Sequence, residues 1–140
     1  MMQKLQIETG VVEYSLNDCC TVRFNPTDSA FVEELYRAFA ELDAKQEAHQ
    51  QEVSQMKDNR EIFALARRRD AEMRELIGGV FGQDVCTPLF GSMNVYALAG
   101  GLPLWANLLL AVMETIDSAF SREQQTANPR IEKYLKKYRK

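Results

Sequence analysis

One stretch, residues 103–120, constrains the fold of this chain more than any other. Leu110 and Ala111 extend its apolar surface almost all the way round the first three turns, so a helix here must be covered on more than one side. Pro103 suits the first helical position. The sequence therefore predicts a central helix at about residues 103–121. The apolar side chains that recur at the i, i+3, i+4, i+7 spacing of a helix are Leu104, Trp105, Leu108, Leu109, Val112, Met113, Ile116 and Phe120.

The same stretch does not predict a membrane span. Its apolar run from Leu102 to Met113 is shorter than the ~20 residues that a spanning helix needs, and Asn107 interrupts it. No apolar segment follows the first residues, so no secretory signal is predicted. We expect a cytoplasmic protein, and its 46% hydrophobic and 26% charged content is typical of a folded chain.

Residues 3–24 alternate apolar and polar side chains, which predicts β-strands. A two-residue turn at Thr9-Gly10 would set Ile7 opposite Val12 and Leu5 opposite Tyr14. These four side chains then share one face of the sheet, because a slip of one residue would turn every side chain over.

A second turn, formed by the three residues 17–19, continues that face. It sets Tyr14 opposite Val22 and would place Cys19 near the left-handed region that glycine favours. The result is a small antiparallel β-meander at 3–24. Its predicted buried face is made of Val12, Tyr14, Leu16, Val22 and Phe24.

The first long helix is predicted at about residues 28–56. Thr27 or Asp28 can cap its first turn, and its apolar stripe consists of Phe31, Leu35, Phe39 and Leu42. Gln46 and His49 then stand where apolar residues are expected. Residues 44–54 are therefore predicted to project from the body, where a solvated helix is favoured over a docked partner helix.

The second long helix is predicted at about residues 59–78. Asp58 precedes it as a cap, and Gly78-Gly79 is predicted to end it. Residues 81–102 form a connection whose aromatic and aliphatic content predicts that it packs against the body. The predicted fold is thus mainly α, in the α+β class, with the β-meander packed on a bundle of about three helices within one globular domain, residues 1–127.

The remaining residues, 128–140, form a basic tail. Its six basic residues against Glu132 give a net charge of +5, and since the whole chain carries −3, residues 1–127 carry −8. Asn128-Pro129 predicts the start of one short amphipathic helix. Such a helix needs a surface to dock on, which is either the acidic body of its own chain or a partner. The predicted partner-binding residues are Ile131, Lys133, Tyr134, Leu135, Lys136, Lys137 and Tyr138, together with Gln46 and His49.

The residues that carry catalysis in other proteins are sparse here, and we predict no enzyme, no metal and no cofactor. His49 is the only histidine, which removes most zinc sites and most nucleophile–base pairs. The three cysteines show no CxxC spacing and are expected to be free thiols. The glycines at 78–82 lack the lysine and hydroxyl residue of a phosphate-binding loop.

Five segments stand out for their residue content: FNPTDSAF at 24–31, the Val-Phe-Gly ending at 77–82, LFG at 89–91, GLPLWANLL at 101–109 and KYLKKYRK at 133–140. Together they resemble the small tail assembly chaperones of long-tailed, non-contractile bacteriophages and prophages. The resemblance implies a non-enzymatic protein of the bacterial host cytoplasm that is absent from the finished virion. It would coat the tape measure protein and help to recruit tail tube subunits. Self-association of the chain stays open. The resemblance also implies a programmed −1 frameshift late in the gene, for which the lysine codons of Lys136-Lys137 could serve. The protein sequence alone favours the alternative that these two lysines solvate the back of the helix that carries Tyr134 and Tyr138.

Two other functions stay open at this stage. A nucleic-acid-binding module could grip phosphates with the basic tail and stack bases on Tyr134 and Tyr138. The net negative charge of residues 1–127 disfavours it, because that body would repel a polyanion. A structural component that stays in the phage tail is the other, and the sequence does not separate it from a chaperone.

Overall fold

The computed structural model describes residues 1–125, and the predicted basic tail lies outside them. Within this range the mainly α architecture with an N-terminal antiparallel β element is confirmed. In chain order the elements are β1 (Val12–Leu16), β2 (Cys20–Phe24), α1 (Ser29–Ser54), α2 (Asn59–Phe81), α3 (Cys86–Phe90), β3 (Leu98–Ala99), β4 (Leu102–Pro103) and α4 (Leu104–Gln125).

Helix α4 is the central helix that the apolar spacing predicts. Trp105, Leu109 and Ile116 on it are almost fully buried, α1 packs against both α2 and α4, and the short strands β3 and β4 lie against the start of α4. The helix begins one residue later than predicted. Pro103 belongs to β4, where it pairs with Leu98, so it precedes the first helical residue.

The strands β1 and β2 form an antiparallel hairpin in the predicted register, with Tyr14 opposite Val22. The prediction for Cys19 is wrong. Asn17 and Asp18 occupy the left-handed region, with φ angles of 51° and 57°, and both residue types tolerate it because their short polar side chains bond locally. The Cys19 amide donates to the Leu16 carbonyl at 2.9 Å and closes the turn.

The first strand of the predicted meander does not form. Residues 1–11 belong to no strand, and the side chains of Leu5 and Ile7 are 85% and 78% exposed. Val12, predicted to be buried, is 40% exposed because no strand within residues 1–125 covers that edge of the hairpin. Val22 and Phe24 are buried as predicted, while Tyr14 and Leu16 are half-buried.

The junction between β2 and α1 is a cluster of stacked rings. Phe24 stacks on Phe31 with ring centroids 4.4 Å apart and on Tyr14 with centroids 4.7 Å apart. The ring of Phe81, at the end of α2, lies near both Phe24 and Phe31. The Asp28 carboxylate accepts from the Ala30 amide and caps α1.

Helix α2 is capped by Asp58, as predicted, but it does not end at Gly78-Gly79. It runs on to Phe81, and Gly82, with a φ of 69°, is the residue that ends it. Gly78 and Gly79 stay helical because the carbonyl of Gly78 accepts the amide N–H groups of both Gly82 and Gln83, the pattern of a helix C-terminus.

The connection after α2 packs down, as predicted, but it also contains structure that the sequence did not indicate. Helix α3 and the β3–β4 pair both lie in it, and Val85, Cys86 and Val95 are fully buried. Asp70 accepts from the Val95 amide at 2.8 Å, and Arg74 bonds both that carboxylate and the loop carbonyls of residues 91 and 93. This pair of side chains fastens the connection to α2.

Candidate functional site

One surface cleft lies between the hairpin, α3 and α4; we call it the hairpin cleft. It encloses about 380 Å³ and is open on one side. The hairpin contributes its inward face, from Tyr14 to Phe24, α3 contributes Leu89 and Phe90, and α4 contributes the face that runs from Asn107 to Thr115.

The walls of the hairpin cleft are fixed to one another. Gln83, just beyond α2, donates from Nε2 to the Thr21 carbonyl at 2.9 Å and so holds the turn end of β2 against the helices. Asn107 donates to the Ala99 carbonyl at 2.9 Å, which ties the start of α4 to β3. The cleft is therefore a preformed feature rather than a gap between loose segments.

The lining of the hairpin cleft is mostly apolar. None of the described side chains that line it is charged. Of its polar ones, Asn107 and Thr115 bond to backbone carbonyls and Ser15 bonds to Asp18. The phenol oxygen of Tyr14 is buried and has no hydrogen-bond partner within residues 1–125. Such a surface can take apolar side chains of a partner.

The structure places Gln46 and His49 elsewhere, in contacts within the chain. Gln46 Oε1 accepts from the Trp105 indole at 2.6 Å, and the His49 ring stacks on Tyr96 with centroids 4.5 Å apart. Both side chains are half-buried, so the prediction that this part of α1 projects from the body is wrong. A role for them in binding a partner stays a prediction.

The other predicted partner-binding residues lie outside the described residues. They are Ile131, Lys133, Tyr134, Leu135, Lys136, Lys137 and Tyr138. The prediction that the tail binds a partner therefore stays a prediction.

The cysteines are free, as expected from their spacing. Cys86 is fully buried at the start of α3, and this burial raises the pKa of its thiol to about 11. Burial also raises the pKa of Cys20. Both thiols therefore stay protonated near neutral pH, the state in which a cysteine is a poor nucleophile.

The described part of the chain, residues 1–125, contains no group of three or more histidine, cysteine or acidic side chains placed to hold a metal ion. Within the same residues, no helix has the length and apolar character needed to cross a membrane.

Comparison with known proteins gives no relative: no protein-family model, no curated protein and no solved structure matches this chain.

Sequence reasoning missed the hairpin cleft because its walls come from three separate parts of the chain. One signal was available. Leu108 and Ala111 share one face of an α4 surface that is apolar almost all round, which implies cover on more than one side. The structure covers part of that surface only loosely, and Ala111 stays exposed.

Proposed function

We propose that this protein is a non-enzymatic tail assembly chaperone of a long-tailed phage or prophage, which acts in the host cytoplasm and coats the tape measure protein while tail tube subunits are recruited. The observation that carries the proposal is the hairpin cleft. Segments that resemble the chaperone family converge there from distant parts of the sequence.

Three of those segments line the cleft directly. Phe24 belongs to the first, Leu89 and Phe90 to the third, and Asn107 and Leu108 to the fourth. The second segment contributes Phe81, whose ring lies 6.5 Å from that of Phe24. Residues that resemble one family thus lie together around one surface, although 84 positions separate the outermost two, Phe24 and Leu108.

The cleft suits a protein partner better than a small charged substrate. Its lining is mostly apolar, it is open to solvent, and within residues 1–125 no charged side chain lines it, whereas a catalytic pocket needs convergent titratable groups. Apolar side chains along one face of a partner helix could enter such a groove. The net charge of −8 on residues 1–127 would keep the complex soluble and repel nucleic acid.

A binding experiment tests the proposal. The tape measure candidate is the very long reading frame expected just downstream of this gene, and it is co-expressed with the chain and co-purified. We expect the two proteins to form a soluble complex. Ala111→Arg places a long charged side chain in the cleft from an exposed position, and should weaken the complex about tenfold or more, equivalent to ~1.4 kcal/mol.

The matched control is Ala71→Arg. Ala71 is likewise an exposed alanine within a long helix, but it lies on α2 away from the cleft. This variant should bind as the wild type does. Absence of a complex with the wild-type chain, or equal loss in both variants, would contradict the proposal.

A further inference from the structure

The N-terminal residues 1–8 form an exposed arm. Four of its side chains are large and apolar, and they are among the most exposed in the described chain: Met1, Met2, Leu5 and Ile7. Leu5 and Ile7 alternate with polar neighbours, the pattern of a strand with one buried face. The arm nevertheless pairs with nothing in residues 1–125, so its apolar face is left in water.

The chain itself holds the arm away from the hairpin. Asn25 Nδ2 donates to the Thr9 carbonyl at 2.8 Å, and Gly10 adopts a φ of 72° directly after it. A Cβ at Gly10 would meet the Asn25 amide nitrogen at 2.6 Å, so no other residue fits there without displacing that amide. The sequence predicts that Thr9 and Gly10 form a tight turn that brings residues 1–8 back onto β1. In the structure these two residues instead act as a hinge.

The hairpin has a free strand edge on which such an arm could pair. Strand β1 pairs with β2 alone within residues 1–125, which leaves its other edge without a backbone ladder. Val12 on that edge is 40% exposed, although it belongs to the face whose other members are buried or half-buried. An unpaired edge beside an exposed apolar side chain is a template for another strand.

We infer that the arm of one copy adds as an antiparallel strand to the free edge of β1 in a second copy. The register is the one that the sequence predicts within a chain, with Ile7 opposite Val12 and Leu5 opposite Tyr14. Because Thr9-Gly10 holds the arm away from its own β1, the arm pairs with β1 of a second chain. Such a contact is an exchange of identical elements between protomers. Main-chain hydrogen bonds give the contact its strength, and the alternating side chains fix its register.

The strand that adds to the β1 edge is the arm of a second copy, because the arm and the β1 edge of this chain match each other. Both are short. Leu5, Ile7 and Val12 are exposed and Tyr14 is half-buried, and none of these four side chains that would meet is charged. Reciprocal exchange gives a closed dimer, and one-way exchange gives a head-to-tail chain. The inference does not rest on the proposed phage role, since it is argued from the arm and the free edge of β1; of the four paired residues only Tyr14 also lines the hairpin cleft.

Cross-linking tests the pairing directly. In a background carrying Cys19→Ser and Cys20→Ala, one batch of protein carries Ile7→Cys and another carries Val12→Cys. The two batches are mixed and oxidised. A disulfide-linked dimer should form, because residues opposite each other in adjacent strands bring their Cβ atoms to about 4.5–5.5 Å. Replacing the first batch with Gln6→Cys, whose side chain would point to the other face, should give little product.

The oligomeric state provides the second readout. By light scattering after gel filtration, the wild-type chain should be larger than a monomer, and Ile7→Glu should be monomeric with an unchanged circular dichroism spectrum, while Gln6→Glu keeps the wild-type mass. A monomeric wild type, or an Ile7→Glu variant with unchanged mass, would overturn the inference. So would a protein with both cysteines in one chain that forms only an intramolecular disulfide, since that places the arm on its own β1.

Discussion

The two halves of α1 are packed by different kinds of contact. In the first half, up to Leu42, the contacts are apolar: Leu35 and Leu42 are fully buried and Phe31 stacks in the ring cluster. In the second half, from Lys45 to Ser54, the contacts to the rest of the chain are largely polar. Lys45 pairs with Glu72 at 3.3 Å and Glu52 with Arg69 at 2.6 Å, and Gln46 and His49 bond or stack on other elements.

Trp105 marks the border between the two halves. Its ring meets Phe39 edge to face with centroids 5.1 Å apart, while its indole N–H donates to Gln46 two turns further along α1. A break in an apolar stripe therefore need not mean a helix that leaves the body. It can mean that the facing element presents a polar atom that must be satisfied.

The largest difference between the halves should appear on truncating an apolar side chain. Leu42→Ala removes a fully buried side chain and should lower the free energy of unfolding by ~2–5 kcal/mol, the cost of a core truncation. Val53→Ala in the second half removes a half-buried side chain and should cost less. Urea denaturation followed by circular dichroism measures both. Equal losses would show that the second half is packed as the first is.

A smaller effect, confined to the second half, should come from the bond between Gln46 and Trp105. Gln46→Ala leaves the indole N–H of a buried tryptophan without its acceptor and should cost ~1–3 kcal/mol of unfolding free energy. The matched control is Gln50→Ala, an exposed glutamine on the same helix, which should be nearly neutral.

A double-mutant cycle with Trp105→Phe isolates that bond from the packing of the ring. Phenylalanine has no N–H to satisfy, so Gln46→Ala should cost less in the Trp105→Phe background than in the wild type. If the cost is the same in both backgrounds, the 2.6 Å contact contributes nothing to stability and the second half is held by other contacts.

The parts of the fold that follow from local periodicity could be predicted from the sequence. The α4 spacing predicts most of its buried face, although Phe120 is 39% exposed. Matching the faces of β1 and β2 predicts a register that the structure reproduces. Where the prediction failed, a contact distant in sequence decides the conformation. Thr9-Gly10 has the composition of a turn, but Asn25, sixteen residues away from Thr9, holds it open.

The candidate site was less accessible to prediction for the same reason. Gln46 and His49 are unusual in sequence because they interrupt an apolar stripe. The structure explains the polar side chain of Gln46 by its bond to Trp105, stacks His49 on Tyr96, and places neither in the hairpin cleft. The cleft depends on how α3 lies against the hairpin. Helix α3 has only five residues, too few for a periodic signal to appear in the sequence.

The smallest expected effect is a pH dependence that belongs to the second half alone. Burial lowers the pKa of His49 below its ordinary value of 6.5, Arg69 lowers it further, and Glu52 opposes them. The unfolded chain therefore takes up a proton more readily than the folded one. Stability that is fully present above about pH 6.5 is lost as the pH falls through the folded-state pKa.

His49→Phe tests this, because phenylalanine keeps a ring to stack on Tyr96 and cannot titrate. The unfolding free energies of wild type and variant are compared from about pH 7.5 down to about pH 5, where the other titrating groups are common to both proteins and largely cancel. The wild type should lose stability relative to His49→Phe as the pH falls. A difference that stays constant across this range would mean that the His49 ring is as well solvated as in the unfolded chain, and that the second half of α1 is open to water after all.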